Sequence, residues 1–407
     1  MTKTVAVLAT LDTKGPEAAY VRERIVALGG QALLIDMGVV GEPGTRPDVP
    51  REAVAAAGGT PLKELLAAPT RQKASPVMVA GATAILTDLV ARGRVHAVLG
   101  FGGTQGTPNC TAVMRALPYG FPKVMLSTVA SGDTSSFVGI KDVTMMFSVS
   151  DILGLNPLSR TILANAAGAA LGMAEQEVPL EPSGDGRPVI GMTNLGVLTE
   201  GSTRALQLFA EKGYEVIVFH AVGSGGRAME QMMKDGLIGA VFDYALGEIA
   251  DDVFGGLRAG GAERLTVAGE LGLPQVLCPG GAEHIGLLVD PPNSVPGRYR
   301  DHRYVFHNPV VFAPRLRAAE LEEVAREIGK RLAHTRSRAV MLLPQRGVSR
   351  YSAAEGPLFD PEGDRAFLEA LKKSLPTAVE VVEVDANAED ESFVRVAVER
   401  LVAMIEA

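Results

Sequence analysis

The chain has 407 residues, of which 47% are hydrophobic, 21% charged and 5% aromatic, and it contains no tryptophan. This length is too great for one ordinary domain and favours two, and the apolar content is sufficient for a large core. The formal net charge of −8 argues against nucleic acid as the main partner, since no stripe of Lys and Arg with interleaved aromatic residues offsets it.

The apolar runs stop at Gly, Pro or charged residues once they reach the length of a strand. The sequence therefore predicts no membrane-spanning helix and no membrane partner. The first strand begins a few residues after Met1, which indicates that no signal peptide is present. Cys110 and Cys278 are far apart in sequence and fit a reduced thiol environment better than a disulfide scaffold. We expect a cytoplasmic protein.

Strand and helix patterns alternate through the first half of the chain. The sequence predicts strands at 5–11, 32–36, 95–99, 124–126 and 144–147, and helices at 16–28, 76–92, from 107–108 onward and at 157–175. The stretch 41–59 is rich in Pro, Gly and Ala and is expected to be an excursion on the surface. Such alternation is typical of a doubly wound parallel sheet.

A segment rich in Pro and Gly, 179–188, interrupts this pattern and is the clearest linker. Beyond it the alternation resumes, with strands predicted at 189–193, 215–219, 240–244, 275–278, 305–311, 339–343 and 380–384, and helices at 202–212, 227–234, 318–332 and 392–405. We therefore expect an α/β fold. It would comprise two doubly wound Rossmann-like domains, 1–184 and 185–407, with mostly parallel sheets and an interdomain cleft.

The sharpest motif follows the third predicted strand. Its functional residues are expected to be Gly102, Gly103, Thr104, Gly106 and Thr107. Glycines let a backbone approach a ligand closely, threonines supply hydroxyls, and the helix opening at Thr107-Pro108 directs its dipole at the loop. The spacing matches neither a Walker A loop nor the Rossmann fingerprint. A tight turn without a ligand is the alternative.

Two further loops follow predicted strands and carry polar residues. After the first strand, Lys14 could neutralise a phosphate and Asp12 could hold Mg²⁺ or a ribose hydroxyl, with Thr13 beside them. Asp12 or Thr13 could instead cap the next helix. After the fourth strand come Ser131, Gly132 and Asp133, and a carboxylate near phosphates requires a cation such as Mg²⁺ between them. Ser-Gly-Asp is also ordinary turn material.

Because loops at the carboxyl ends of parallel strands meet at one edge of a sheet, these three loops should together form a site for a small anion, most plausibly phosphate.

The second half offers weaker signals. Gly223-Ser224-Gly225 misses the nucleophile-elbow pattern by one position, so we do not predict a hydrolase serine. Cys278, Glu283, His284 and His307 lack zinc-site spacing, and a metal there is not expected. His220 or His307 could act as an acid or base, although structural histidines are common at strand ends. Arg346 and Arg350, in a long loop, could clamp an anion or could be solvated.

Taken together, these motifs resemble the family of the tomato mosaic virus resistance protein, whose bacterial members form an uncharacterised family. The matching stretches are 9–15, 102–107, 127–133, 191–197, 278–281 and 307–309, so the resemblance covers essentially the whole chain. It implies a two-domain protein that binds ATP with Mg²⁺ through 12–14, 102–107 and 131–133 and self-associates as a homodimer. The antiviral role of plant members, which have an extra C-terminal domain, is not carried over.

The leading hypothesis is a nucleotide-binding protein that could perform Mg²⁺-dependent phosphoryl transfer or ATP-driven activation of a small acid. Two alternatives stay open. In one, the nucleotide only stabilises a dimeric scaffold or regulator. In the other, the protein is a metabolic enzyme that acts on a small phosphorylated or carboxylated substrate without ATP.

Overall fold

The chain divides into two compact units, Met1–Leu180 and Glu181–Ala407. The computed structural model describes residues 2–176, 178, 180, 186–336 and 338–407. The predicted domain boundary, between residues 184 and 185, lies outside the described residues, and the predicted interdomain cleft stays a prediction. Each unit has its own sheet and its own core.

The first unit alternates strands and helices as the sequence predicts. Its strands are β1 (Thr4–Ala9), β2 (Gln31–Asp36), β3 (Ala97–Gly102), β4 (Lys123–Ser127) and β5 (Thr144–Phe147). Its helices are α1 (Leu11–Ala27), α2 (Arg51–Ala57), α3 (Leu62–Ala67), α4 (Arg71–Ala91), α5 (Gly106–Arg115), α6 (Ser135–Val138) and α7 (Pro157–Ala174). Helix α2 lies within the predicted surface excursion, and α1 begins five residues before the predicted start at Pro16, with a kink at Lys14.

All strand pairs of the first sheet are parallel, in the order β2-β1-β3-β4-β5. The chain places β2 on one side of β1 and then returns to place β3 on the other side. The winding therefore reverses between β1 and β3. In open parallel sheets, ligands bind outside the carboxyl ends of the strands at such a reversal.

Both faces of this sheet are covered by helices, which explains why its central strands are continuously apolar. One face packs against α1 and α7 through residues such as Val7, Leu99 and Leu163. The other packs against α4 and α5 through residues such as Val98 and Met114. With both faces closed, the strand ends are where this unit can offer a site to a ligand.

Helix α4 is long and apolar enough, by length and composition alone, to cross a membrane, and 28% of its most apolar window is buried. Such a signal is weak, since core helices of ordinary domains share it. In this unit α4 packs closely on α2. A Cβ added to Gly81 of α4 would lie only 2.9 Å from the backbone nitrogen of Gly58, at the end of α2, so a glycine is needed at this contact. Met78, Ala82 and Leu86 are buried in the core.

The second unit contains a larger sheet and a small antiparallel one. Its strands are β6 (Ile190–Asn194), β7 (Val216–His220), β8 (Ala240–Ala245), β9 (Gln275–Gly280), β10 (Leu287–Leu288), β11 (Tyr304–Asn308), β12 (Val311–Pro314), β13 (Ala339–Pro344) and β14 (Val379–Val384). Its helices are α8 (Thr199–Glu211), α9 (Ser224–Lys234), α10 (Gly247–Phe254), α11 (Val267–Leu271), α12 (Ala318–Arg331), α13 (Pro361–Ser374) and α14 (Glu391–Ile405).

The larger sheet is parallel throughout, in the order β14-β13-β9-β8-β6-β7. Its winding reverses between β6 and β8, as the first sheet reverses between β1 and β3. The predicted α/β fold with two mostly parallel, Rossmann-like sheets is thus confirmed.

One prediction in this unit is wrong. The apolar run 305–311 is not a single strand but parts of β11 and β12, which form an antiparallel hairpin. The turn is fixed by the Asn308 side chain, whose Oδ1 accepts hydrogen bonds of 3.0 Å from the backbone of Val310 and Val311. Together with β10, this hairpin makes the small antiparallel sheet.

Candidate functional site

The three loops singled out in the sequence follow β1, β3 and β4, which are neighbours in one parallel sheet. They therefore lie at the same edge. The loops after β3 and β4 are joined directly, because the Thr128 N–H donates a 3.2 Å hydrogen bond to the Gly102 carbonyl. The loops after β1 and β3 flank the reversal in strand order, which is where a ligand crevice is expected.

The glycine loop, residues 103–106, presents unused backbone donors. In the described part of the chain, no group accepts a hydrogen bond from the N–H of Gly103, Thr104, Gln105 or Gly106. Helix α5 begins at Gly106 without a side-chain cap, so its positive dipole end lies at the same loop. Backbone donors grouped at a helix N-terminus are suited to binding a phosphate or carboxylate.

Gly102, at the end of β3, and Gly103, the first residue of the loop, differ in the space around them. A Cβ at Gly102 would lie 2.9 Å from the Gly106 Cα, so Gly102 is required for the turn itself. A Cβ at Gly103 would meet only the Thr128 hydroxyl, at 3.3 Å. A bulky side chain at Gly103 would therefore occupy the space of a ligand more than it would disturb packing.

The two threonines of the motif, Thr104 in the loop and Thr107 in the first turn of α5, differ in position. Thr104 is exposed at the edge and available to a ligand. Thr107 is fully buried, and its hydroxyl lies 2.7 Å from the Ser127 hydroxyl at the end of β4. Thr107 therefore joins β4 to α5 and holds the loop in place from below.

Asp12 has a carboxylate neighbour that the sequence did not reveal. Asp36, at the end of β2, is buried, and its Oδ1 accepts hydrogen bonds from the backbone of Leu11 (3.0 Å) and Gly38 (2.8 Å). A Cβ built on Gly38 would lie 3.0 Å from both Asp12 Oδ1 and Asp36 Oδ1, so the two carboxylates are close neighbours. Burial, followed by smaller contributions that include the Asp12 charge, raises the pKa of Asp36.

Within the described ranges, each of these carboxylates has one buried oxygen without a hydrogen-bond partner, Oδ1 of Asp12 and Oδ2 of Asp36. Buried oxygens left unpaired in this way call for a proton, a water or a cation. Among the described residues there is no group of three or more His, Cys, Asp or Glu placed to hold a metal ion. Two carboxylates nevertheless suit Mg²⁺, which takes one or two protein carboxylates and completes its shell with phosphates and water.

The remaining residues of the first loop are partly engaged elsewhere. The Lys14 ammonium donates a hydrogen bond to the Ile152 carbonyl, in the loop after β5. The Thr13 hydroxyl lies 2.9 Å from the Thr10 hydroxyl and is exposed. The predicted roles of Lys14 and Thr13 in binding an anion stay predictions.

The loop after β4 is exposed at Ser131, Gly132 and Asp133. Asp133 Oδ1 accepts a 2.9 Å hydrogen bond from the Ser135 N–H at the start of the short helix α6, and this bond holds the pKa of Asp133 below its usual value. Asp133 therefore already has a local structural role as a turn residue, in contrast to the unpaired oxygen of Asp12.

In the glycine loop of the second unit, a carboxylate of the chain engages two of the backbone donors. Glu248 Oε1 accepts hydrogen bonds from the backbone N–H groups of Gly223 (2.6 Å) and Gly226 (3.2 Å), at the start of α9. Glu248 is fully buried and paired with Arg264 at 2.6 Å. A carboxylate of the chain itself thus occupies the position that an anionic ligand would take, whereas no side chain of the described residues accepts a hydrogen bond from the backbone at 103–106.

Several other residues noted in the sequence have clear positions. Cys110 and Cys278 are both buried free thiols. Arg346 pairs with Asp385 at 2.7 and 2.8 Å, and Arg350 donates to the Gly196 carbonyl at 2.6 Å. His220, His284 and His307 come from three different strands or strand ends but line one cavity. Their sequence spacing could not show this, because the small sheet brings His307 to the edge of the larger one.

Comparisons with known proteins agree over the whole length. Residues 3–179 match the N-terminal domain of the uncharacterised protein family UPF0261, and residues 187–405 match its C-terminal domain. A UPF0261 protein of Clostridium tetani is 38% identical over 407 residues, covering 100% of both chains. A UPF0261 protein of Rhizobium meliloti is 37% identical, covering 92% of this chain and 91% of that one.

A plant protein is also related. The ToMV resistance protein Tm-1(GCR237) of Solanum lycopersicum is 35% identical over 281 residues, which cover 68% of this chain but only 37% of the tomato protein. Among solved structures, UDP-N-acetylglucosamine 2-epimerase from Rickettsia bellii matches with a TM-score of 0.23 and 12% identity, over 68% of this chain and 78% of that one. This similarity is too low to indicate a common function.

The sequence-based resemblance is therefore confirmed: the chain belongs to the uncharacterised protein family UPF0261 and is related to the tomato resistance protein.

Proposed function

We propose that the first unit binds a nucleotide, ATP with Mg²⁺, at the carboxyl edge of its sheet. The observation that carries this proposal is the set of four backbone N–H groups at 103–106 without partners, located where the strand order reverses. The N–H groups and the dipole of α5 would hold phosphate oxygens, and Thr104 would add a hydroxyl. The family resemblance supports ATP as the nucleotide.

In this proposal Mg²⁺ lies between the phosphates and the carboxylates that follow β1 and β2. Asp12 is the favoured ligand because its buried Oδ1 has no partner, and Asp36 lies beside it with an unpaired Oδ2. The two carboxylates and the polyphosphate are all negatively charged and repel one another. A bound Mg²⁺ between them would neutralise part of this charge. Lys14 would add positive charge, and Asp133 is the weaker candidate since it already bonds Ser135.

The first test is thermal unfolding of the full chain with ATP, ADP and AMP, each with and without Mg²⁺. A ligand at about 100 times its Kd adds about 2.7 kcal/mol of stability, which raises the melting midpoint measurably. No shift with any nucleotide would contradict the proposal. Phosphate release measured in parallel separates turnover from a nucleotide-stabilised scaffold, because a scaffold would show the shift without release.

The location is tested with Gly103→Val. The added Cβ would lie at the loop that carries the unpaired N–H groups and would meet the Thr128 hydroxyl at 3.3 Å, with no other described group beyond its chain neighbours within 4 Å. We expect the ATP-induced shift to disappear while the melting midpoint without ligand changes little. Gly172→Val, on α7, is the matched control, because a Cβ there meets nothing within 4 Å. If Gly103→Val bound ATP with unchanged affinity, the site would lie elsewhere.

A further inference from the structure

The second unit contains a cavity of about 230 Å³ at the carboxyl edge of its larger sheet. Its wall combines the loop after β6, the end of β7, the loop after β9 and the small antiparallel sheet. The β6 loop borders the reversal in strand order, the position at which parallel sheets bind ligands. The volume is below the roughly 300–1,000 Å³ of pockets for drug-sized molecules, so it suits a small ligand.

Three imidazoles line this cavity, and each has its Nδ1 beside a fixed protein group. His220 Nδ1 lies 3.3 Å from the Asn194 carbonyl, and His307 Nδ1 lies 3.4 Å from the Tyr351 hydroxyl. Because a carbonyl can only accept, the His220 hydrogen is assigned to Nδ1. Among the described residues, Nε2 of His220 and Nε2 of His307 have no partner, so these are the nitrogens left for a ligand.

His284 is the most buried of the three, with 4% of its surface exposed. Its Nδ1 lies 3.2 Å from Glu283 Oε1, and Glu283 is fully buried and also accepts a hydrogen bond from the Ser349 hydroxyl. A carboxylate behind Nδ1 orients an imidazole. His284 Nε2 faces Arg258 Nη1 at 3.4 Å.

Arg258 provides a permanent positive charge on the same wall. It is 5% exposed, and Asp251 fixes it with hydrogen bonds of 3.0 Å to Nε and 2.6 Å to Nη2. These bonds leave Nη1, the nitrogen near His284, as the part of the guanidinium least engaged by the protein. The arginine is thus held rigidly and offers a donor toward the cavity.

The cavity wall has an apolar part and a polar part. One part is apolar and includes Leu195, Val197, Val222, Leu257 and Val311. The other carries the three imidazoles, Arg258 and Tyr351, and in the described part of the chain no carboxylate lines the cavity. Asp251 and Glu283 stand behind Arg258 and His284. The wall therefore favours a ligand with an apolar body and a negative group.

We infer that this cavity is a second ligand site, which binds a small carboxylic acid with an aliphatic or aromatic body. The carboxylate accepts hydrogen bonds from Arg258 Nη1 and from His307 Nε2, which carries the hydrogen when His307 Nδ1 accepts from the Tyr351 hydroxyl, and the body lies against the apolar wall. This site is independent of the nucleotide proposed for the first unit, since every residue named here belongs to the second. It gives the chain a separate organic-acid binding function.

The test is a binding titration of the full chain with straight-chain and aromatic monocarboxylates, hexanoate and benzoate among them. Each acid is paired with its primary amide, which has the same shape without the charge, and acetate and inorganic phosphate complete the panel. We expect saturable binding of one or more acids with an apolar body, at least tenfold tighter than the matching amide, acetate or phosphate. Failure of every such acid to bind, or equal binding of acid and amide, overturns the inference.

Variants locate the binding. His307 and His220 are exposed, so His307→Leu removes a donor and His220→Leu removes a polar group of the wall, neither of them opening the core. His307→Leu should weaken the binding of the acid by about tenfold, the usual effect of losing a hydrogen bond to a charged group, and His220→Leu should weaken it less. His334→Leu, an exposed histidine of the same unit outside the cavity, is the matched control and should bind normally.

Val311→Phe fills the cavity from the apolar side and should abolish binding of the acid while leaving the ATP-induced thermal shift of the full chain unchanged. Unaltered acid binding in Val311→Phe together with both histidine variants would place the acid elsewhere and overturn the inference. Loss of the ATP response alone would bear only on the first unit.

Discussion

Asp12 and Asp133 were both predicted to hold Mg²⁺, and their surroundings now distinguish them. Asp12 Oδ1 is buried and unpaired beside Asp36, whereas Asp133 is exposed and bonded to the Ser135 N–H. We expect Asp12→Asn to remove most of the Mg²⁺-dependent part of ATP binding, and Asp133→Asn to have a much smaller effect. The measurement is ATP affinity with Mg²⁺ and with a chelator, and the reverse ranking would assign the ion to the loop after β4.

Glu283 shows how one buried carboxylate depends on its partners. Burial by itself would raise its pKa. The charge of His284 and hydrogen bonds from His284 and Ser349, with a smaller contribution from Arg315, outweigh this and lower the pKa of Glu283 from 4.5 to about 2. A carboxyl whose pKa falls on folding stabilises the native state above its unfolded pKa and loses that contribution as the pH drops.

The stabilising effect of Glu283 should therefore be complete above about pH 5 and decline between pH 4.5 and 2, by about 3 kcal/mol in total. Glu283→Gln should lower the free energy of unfolding near neutral pH and make it less sensitive to acid. Urea unfolding at neutral pH and at about pH 3 measures both effects. An equally steep acid dependence in the variant would show that other carboxyls govern it.

At the scale of elements, helix α7 begins at a capping motif that is recognisable in the sequence. Asn156 Oδ1 accepts a 3.0 Å hydrogen bond from the Ser159 N–H, and the Ser159 hydroxyl accepts one of 2.9 Å from the Asn156 N–H. Pro157 takes the first helical position, where its missing N–H costs nothing. This capping box fixes α7 against β1 and β3, whose carboxyl ends carry two of the three loops of the proposed nucleotide site.

Asn156→Ala should destabilise the first unit by about 1 kcal/mol, because the side-chain acceptor for the Ser159 N–H is lost, while the hydrogen bond from the Asn156 backbone N–H to the Ser159 hydroxyl can remain. Asn156→Asp keeps the acceptor and adds a charge that suits the positive end of the helix dipole, so its stability should match or exceed that of the original. Thermal unfolding of both variants compares them, and equal losses in Ala and Asp would show that the cap does not contribute.

Most strand positions could be predicted because each parallel strand is a short apolar run that ends at Gly or a polar residue. The hairpin of β11 and β12 could not, since the apolar residues continue on both sides of its turn and hide it. The glycine loop could be predicted because it directly follows one of these apolar runs. The proximity of the Asp12 and Asp36 carboxylates could not, because it depends on the strand order β2-β1-β3, which no local pattern encodes. The cavity with three histidines requires two sheets to meet and has no spacing signal at all.

On the scale of the whole molecule, each unit has its own sheet and apolar core, and the clusters of buried residues do not mix the two. We expect calorimetry to resolve two unfolding transitions, with Asn156→Ala lowering the one that belongs to the first unit. ATP with Mg²⁺ should raise that transition, and an apolar monocarboxylate such as hexanoate should raise the other. A single transition that both compounds shift equally would contradict this division.

The reversal of strand order occurs in the sheets of both units, and this has a consequence for the evolution of such a chain. Each half has such a reversal of strand order, and the loops that follow the strands lie beside it. Selection can rewrite the loops of one half while the other keeps its chemistry. If both proposed sites are correct, we expect a relative that has lost the glycines after β3 but retained the three histidines, or the reverse, to fold and to keep one of the two proposed binding activities.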